Sequence, residues 1–334
     1  MRNSNFELLR LVSMFFIVLY HIFFFIIVKV DDDIIYKAMW LPLHVAVICF
    51  VLISGYFHIN PSLRGIVKLI VPLIIFYLPL TLWEMTHSDG GVKGLLFFSK
   101  SPYWFIRTYL CLFLVAPILN EYLVSNKRRI YLLVVLGFIS VYMGNLHEPS
   151  LNTGKNLVLF MFLYVLGDCL NVKKNFYIRY SFLQIFLVYL LLNTALVYGY
   201  MTNHSSFLGR VLWNLSYPYC SPFLIVNAVI LFMLFSKMEF KSKYVNWLSS
   251  SVFAVYIIHH QHYILYSIIG PIAINIMKMT KNPLIVMSYL CILTMLILFV
   301  CILIDKLFTP LWNYLIPLSN HLESRLYQYI VKSR

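Results

Sequence analysis

The chain has 334 residues, of which 61% are hydrophobic and 11% charged, whereas a soluble domain carries about 25% charged residues. So little polar surface excludes a water-soluble core and makes the bilayer the expected solvent. The net charge of +14, from 26 Lys and Arg against 12 Asp and Glu, is no nucleic-acid footprint: short clusters such as Lys127, Arg128, Arg129 and Lys173, Lys174 lie between apolar runs, where cytoplasmic loops meet anionic headgroups.

Apolar stretches of spanning length occupy residues 7–28, 40–59, 66–85, 103–124, 130–145, 156–171, 178–200, 219–236, 249–271 and 284–307. They predict an all-α, polytopic integral membrane protein with about ten transmembrane helices, kinked at Pro72, Pro79, Pro117 and Pro222. The first run is too long for a cleaved signal peptide and is expected to stay as the first helix. With the amino terminus inside and the connections alternating, 17 of the 26 basic residues fall on the inner side and 9 on the outer. Both termini are therefore expected in the cytoplasm. Residues 1–310 then form one membrane domain, and residues 311–334 a short cytoplasmic tail able to form an amphipathic surface helix. The longest connections, residues 86–102, 145–155 and 200–218, fall outside.

Ionisable groups within such helices mark candidate sites. The first helix carries Arg10 and His21, eleven residues apart, nearly on one face and about 16 Å apart along the axis. A cation at the inner mouth can hold an anion while the deeper histidine takes a proton from a nucleophile. Snorkelling of Arg10 and a hydrogen bond of His21 within the bundle satisfy the same spacing. The second helix ends in Ser54, Gly55, Tyr56, which offers close approach and two hydroxyls, or packing alone. Arg64 and Lys68 add inner cations. The fourth helix opens on Trp104, Phe105, Ile106, Arg107, Thr108 and Tyr109, a cation among interfacial aromatics.

Asp168 and Asp305, at inner helix ends, are expected to pair with Lys173 or Lys306. The ninth stretch carries Tyr256, His259, His260 and His262, with Tyr256 and His260 on one face. No carboxylate or cysteine lies near enough in sequence to complete a ligand set, so a hydrogen-bonded cavity lining is expected there and no metal. The six cysteines form no CxxC pair and read as packing residues.

These segments resemble acyltransferase family 3, the integral-membrane acyltransferases that include bacterial polysaccharide O-acetyltransferases. The resemblance is carried by residues 5–10 (NFELLR) leading to His21, an arginine–ten residues–histidine pattern, and by residues 50–57 (FVLISGYF) and 103–120 (YWFIRTYLCLFLVAPILN). Residues 163–167 (LYVLG), 249–259 (SSSVFAVYIIH) and 304–306 (IDK) follow in the family's order. The resemblance implies transfer of an acyl group, most often acetyl, from a cytoplasmic acyl-CoA to a hydroxyl of a cell-surface glycan or its lipid-linked precursor. The setting it implies is a bacterial inner membrane.

His21 and Arg10 are the implied catalytic pair. Arg10, Arg64, Lys68, Ser54 and Tyr56 fall to the acyl-CoA, and Trp104, Arg107, Tyr109, Tyr256, His259 and His260 to the glycan or glycolipid acceptor. Acyl-CoA is a co-substrate and no tightly bound cofactor is expected; membrane lipid is a partner and nucleic acid is not. Arg107 stands where relatives carry lysine, and His260 where an acidic residue is common. The competing readings are a transporter or flippase, which calls for inverted repeats or matching broken helices that the sequence does not display, and a lipid- or glycan-binding module.

Overall fold

The computed structural model describes residues 3–31, 33–87, 103–144, 151, 154–203, 205–216 and 218–332. Arg2, Lys93, Lys100, Arg334 and most of the two connections 86–102 and 145–155 lie outside the described residues. Among the described residues there are helices and no strand. The helices are α1 (Ser4–Val30), α2 (Ile34–Phe57), α3 (Leu63–Trp83), α4 (Trp104–Tyr122), α5 (Asn126–Gly137, continued by Phe138–Met143), α6 (Leu157–Val172) and α7 (Phe182–Asn203). They continue as α8 (Phe207–Ser216), α9 (Pro222–Ser236), α10 (Lys243–Ser249), α11 (Val252–His259), α12 (Tyr263–Met279), α13 (Pro283–Leu307) and α14 (Thr309–Lys332).

Six of these, α1, α2, α3, α4, α7 and α13, are long and apolar enough to cross a membrane, and α6, α9 and α12 are shorter apolar helices. The protein is thus an all-α, multi-pass membrane protein, with six full-length spans by length and composition where the sequence predicts about ten. Outward faces are bare hydrocarbon: Leu191 on α7 and Leu284 on α13 are among many exposed apolar side chains. Polar caps start the helices where the sequence turns from polar to apolar. Ser62, Ser125, Asn156, Ser221 and Asn282 each accept a hydrogen bond from a backbone N–H in the first turn of α3, α5, α6, α9 and α13.

α1 is the central post, packed against α2, α9, α10, α11 and α13. α2 and α6 cross at their glycines: a Cβ on Gly55 would lie 2.0 Å from the Tyr164 carbonyl oxygen, and one on Gly167 would lie 2.3 Å from that of Leu52. Only glycine permits that backbone approach. Asp168, one residue on, does not pair with Lys173. It is buried and holds the Arg129 guanidinium and His58 Nε2, the latter at 2.8 Å, and so ties the end of α2 to α5 and α6.

One expectation changes. The stretch 249–271 is not one helix: it breaks at Ser250–Ser251 and again at residues 260–262, between α11 and α12. Gln261 Nε2, at the second break, donates to the Tyr77 carbonyl oxygen at 2.9 Å on α3. A break within the bundle is stable where its polar groups are buried in protein rather than lipid, as His260 and Gln261 are. The connection 200–218 contains α8. The tail continues a 24-residue helix, α14, which packs on the Leu63–Pro72 part of α3.

Candidate active site

α1 places Glu7, Arg10, Met14, Ile17, His21 and Phe24 at alternating three- and four-residue steps, which puts them on one stripe. All six line one cavity of about 830 Å³. From Glu7 to Phe25 the cavity follows α1 for about 27 Å, and His21 lies about 26 Å from the start of α1 and about 14 Å from its end. Lys68, Ser249, Lys306, Trp312 and Ile316 line the same cavity with Arg10, at the end nearer the start of α1, called the inner end after the orientation expected from the sequence; Trp104, Lys155 and Tyr219 line it with Phe24 and Phe25 towards the other, outer end.

At the inner end the Arg10 guanidinium forms an ion pair with Glu7, one turn away. Glu7 is buried and also accepts a hydrogen bond from Ser249 Oγ at 2.6 Å. A carboxylate fixed from two sides therefore orients Arg10 toward the cavity. Lys306 Nζ donates to Ser250 Oγ at 2.7 Å and lies 4.8 Å from the Trp247 ring centroid.

Midway, α1 meets the break after α11. His21 Nδ1 and His259 Nε2 lie 2.8 Å apart, and His259 Nδ1 lies 2.6 Å from the Val255 carbonyl oxygen. A carbonyl oxygen only accepts, so His259 Nδ1 carries the proton. In the neutral ring its Nε2 then accepts, and His21 Nδ1 donates to it. His21 Nε2 is left with its lone pair free for a proton from elsewhere, the state a general base needs. His260 stacks on His21 with ring centroids 4.2 Å apart, and Tyr256 stacks on His260 at 6.0 Å.

His21, His259 and His260 each have a ring nitrogen within 4.8 Å of the others, close enough to surround one cation. The cluster joins His21 to His259, the last residue of α11, and to His260 in the break after it, and His262 is not in it; that ring packs on Tyr266. Tetrahedral nitrogen ligands about 2.0–2.1 Å from a zinc ion sit about 3.3 Å from one another. The 2.8 Å contact is instead a hydrogen-bond length, which favours a shared proton.

Ser54 Oγ donates to the Phe50 carbonyl oxygen at 2.9 Å and lies 3.0 Å from the Tyr109 hydroxyl, and both side chains line the cavity. Trp104, Tyr256 and His260 line it as well. His259 stands behind His21, fully buried at 0% exposure. Arg64 is exposed and Tyr56 packs between Phe6 and Phe232; neither is among the lining residues, and Arg107 is not either. Tyr56 is two residues from Ser54, and Arg107 two from both Phe105 and Tyr109, so each points about 200° around the helix from those lining neighbours, while Arg64 shares a stripe with Lys68 but sits a turn further out, at the exposed start of α3.

Two lining residues were not singled out from the sequence: Glu7, which stands there only within NFELLR, and Lys155. Lys155 Nζ lies 5.8 Å from the Trp104 ring centroid, and burial pulls its ammonium below the ordinary lysine value. An acidic residue three before Arg10 was a readable signal; for Lys155 there was none.

A family model described as an acyltransferase domain, that of acyltransferase family 3, matches residues 3–319 of the chain. No curated protein and no solved structure matches it.

Proposed function

The chain belongs to acyltransferase family 3, and from that premise we propose that it moves an acetyl group from cytoplasmic acetyl-CoA to a hydroxyl of a cell-surface glycan or its lipid-linked precursor, in a bacterial inner membrane. One observation carries the reading: a single cavity joins a cation-lined inner end to an aromatic outer end and passes the free Nε2 face of His21 between them. Acyl-CoA phosphates suit Arg10, Lys68 and Lys306. The roughly 16 Å between Arg10 and His21 along α1 is comparable to an extended phosphopantetheine arm, so the thioester reaches the histidine.

The acceptor enters from the other end. Its hydroxyl gives a proton to His21 Nε2 as its oxygen bonds to the thioester carbonyl carbon. The tetrahedral intermediate collapses, the carbon–sulfur bond breaks, and the sulfur leaves with the proton returned by His21. His259 and the Val255 carbonyl hold the tautomer and stabilise the charged ring, as the buried partner of a catalytic histidine does in hydrolase triads. An apolar surround of Met14, Ile17, Phe50 and Phe105 limits water, which would hydrolyse the thioester.

The test is acetyl transfer from labelled acetyl-CoA into extracted glycans and lipids, comparing native protein with His21→Ala and Arg10→Ala at matched membrane levels. Label with the native protein that vanishes with His21→Ala, and falls steeply with Arg10→Ala, supports the reading; equal label in all three removes the site. A second reading, a transporter or flippase, draws on the break between α11 and α12 and on the through-running cavity. It calls for movement of an unmodified substrate across proteoliposomes lacking acyl-CoA, which the acyltransferase reading does not.

A further inference from the structure

The outer end of the cavity holds a cation whose environment differs from those of Arg10 and Lys306. Lys155 precedes Asn156, whose side chain caps α6 through the Leu159 N–H at 3.0 Å and bonds the Leu151 carbonyl, so the approach of the chain to the cavity is fixed. The ammonium lies over Trp104 and faces the cavity, not lipid, so snorkelling to headgroups does not account for it. Among the described residues it makes no ion pair with a carboxylate. A contact with a ring face leaves its N–H donors available. A half-buried ammonium without a counter-charge is costly, and that cost is relieved when an anion arrives.

Beside Lys155 the wall is aromatic. Trp104 and Tyr219 have ring centroids 5.2 Å apart, Tyr219 packs on His44 at 4.7 Å, and His44 on Tyr20 at 4.6 Å. Trp104, Tyr219 and Tyr20 line the cavity with Lys155. Such rings present hydrophobic faces with polar tips, suited to the C–H face of a sugar ring.

Resting on the acyl-transfer reading for what happens next, but on its own geometry for what binds, we infer that the outer half of the cavity takes an anionic sugar, its carboxylate or phosphate on Lys155 and its ring against Trp104 and Tyr219. A neutral sugar would occupy the shelf and leave the ammonium desolvated without compensation, so the site selects against it as well as for the acid.

The experiment uses the purified full-length chain in lipid nanodiscs with three probes: methyl β-D-glucuronide, methyl β-D-glucoside and glucose 1-phosphate. Binding is measured by titration calorimetry without donor, and acetyl transfer is measured separately with labelled acetyl-CoA. At least one acidic probe should bind about tenfold or more tightly than the glucoside, as expected for a charge-assisted contact in a half-buried site. Lys155→Gln should abolish that preference and Lys155→Arg keep most of it, while whichever acid binds more tightly identifies the group as carboxylate or phosphate.

Equal or absent binding of the three probes overturns the inference, as does an acid preference that survives Lys155→Gln. The comparison among probes in the native protein stands even if a variant fails to fold. Acid-selective binding without any acetyl transfer keeps the site and removes the acyltransferase reading; equal transfer to all three probes does the reverse.

Discussion

At the inner end of the cavity the cations are held in place by neighbours: Arg10 by Glu7, itself braced by Ser249, and Lys306 by Ser250 and Trp247. At the outer end Lys155 rests on Trp104, with no carboxylate partner among the described residues. Oriented cations suit a ligand whose several phosphates must be docked in one register so that a remote thioester arrives at His21. A cation without a counter-charge suits a ligand that brings the charge itself. On the proposed reading the two ends would recognise different molecules by different electrostatics, with the histidine pair between them belonging to neither.

The largest effect is expected where both ends meet. His21→Ala should lower turnover about 10³-fold, the usual scale for loss of a general base, while the Kd for acetyl-CoA stays unchanged; loss of donor binding in the same variant would erase the distinction between binding ends and catalytic centre. His259→Ala should lower turnover by about 10²-fold by freeing the His21 tautomer. His259→Gln, whose amide oxygen can accept from His21 Nδ1, should recover a large part of that, a rescue that a purely packing role for His259 does not give.

Smaller effects sharpen the contrast. Glu7→Gln keeps the size of the side chain but not its charge, so it should raise the KM for acetyl-CoA about tenfold and leave the acceptor KM alone. An equal rise in both would mean that the inner ion pair serves the whole bundle. Trp312→Ala removes one wall of the inner mouth contributed by α14 and should raise the donor KM by only a few-fold, about the worth of one aromatic contact, again without an effect on the acceptor. Steady-state kinetics with each substrate varied in turn reads both.

What the sequence disclosed and what it hid divide along physical lines. The apolar runs located the long helices because hydrophobic length is a local property. The Arg10–His21 stripe was legible because residues eleven apart on one helix share a face whatever surrounds them. Gly55 was legible as a point of close approach, though its partner Gly167 was not. The break between α11 and α12 was hidden because apolar residues continue on both sides of residues 260–262. It becomes necessary only once Gln261 reaches α3.

The contact between His21 and His259 joins residues 238 apart in sequence, and nothing in either neighbourhood announces it. Arg64, Tyr56 and Arg107 were chosen for their chemistry beside the right segments, but Tyr56 and Arg107 point to other sides of their helices than their lining neighbours, and Arg64, on one stripe with Lys68, sits a turn further out at the exposed start of α3. The sequence counts each apolar run as one crossing; among the described residues six helices have full spanning length, while α6, α9 and α12 are shorter apolar helices and α11 is a fragment of eight residues.

The central claim, that one cavity brings donor and acceptor to His21 from opposite faces, is most directly tested in proteoliposomes of uniform orientation. Labelled acetyl-CoA is supplied on the Arg10 side alone and a membrane-impermeant acceptor, established by the transfer assay, on the Lys155 side alone. The account predicts acetylated acceptor on the Lys155 side, dependent on His21, with free CoA accumulating on the other. Acetylated product formed only when both substrates share one face would contradict it.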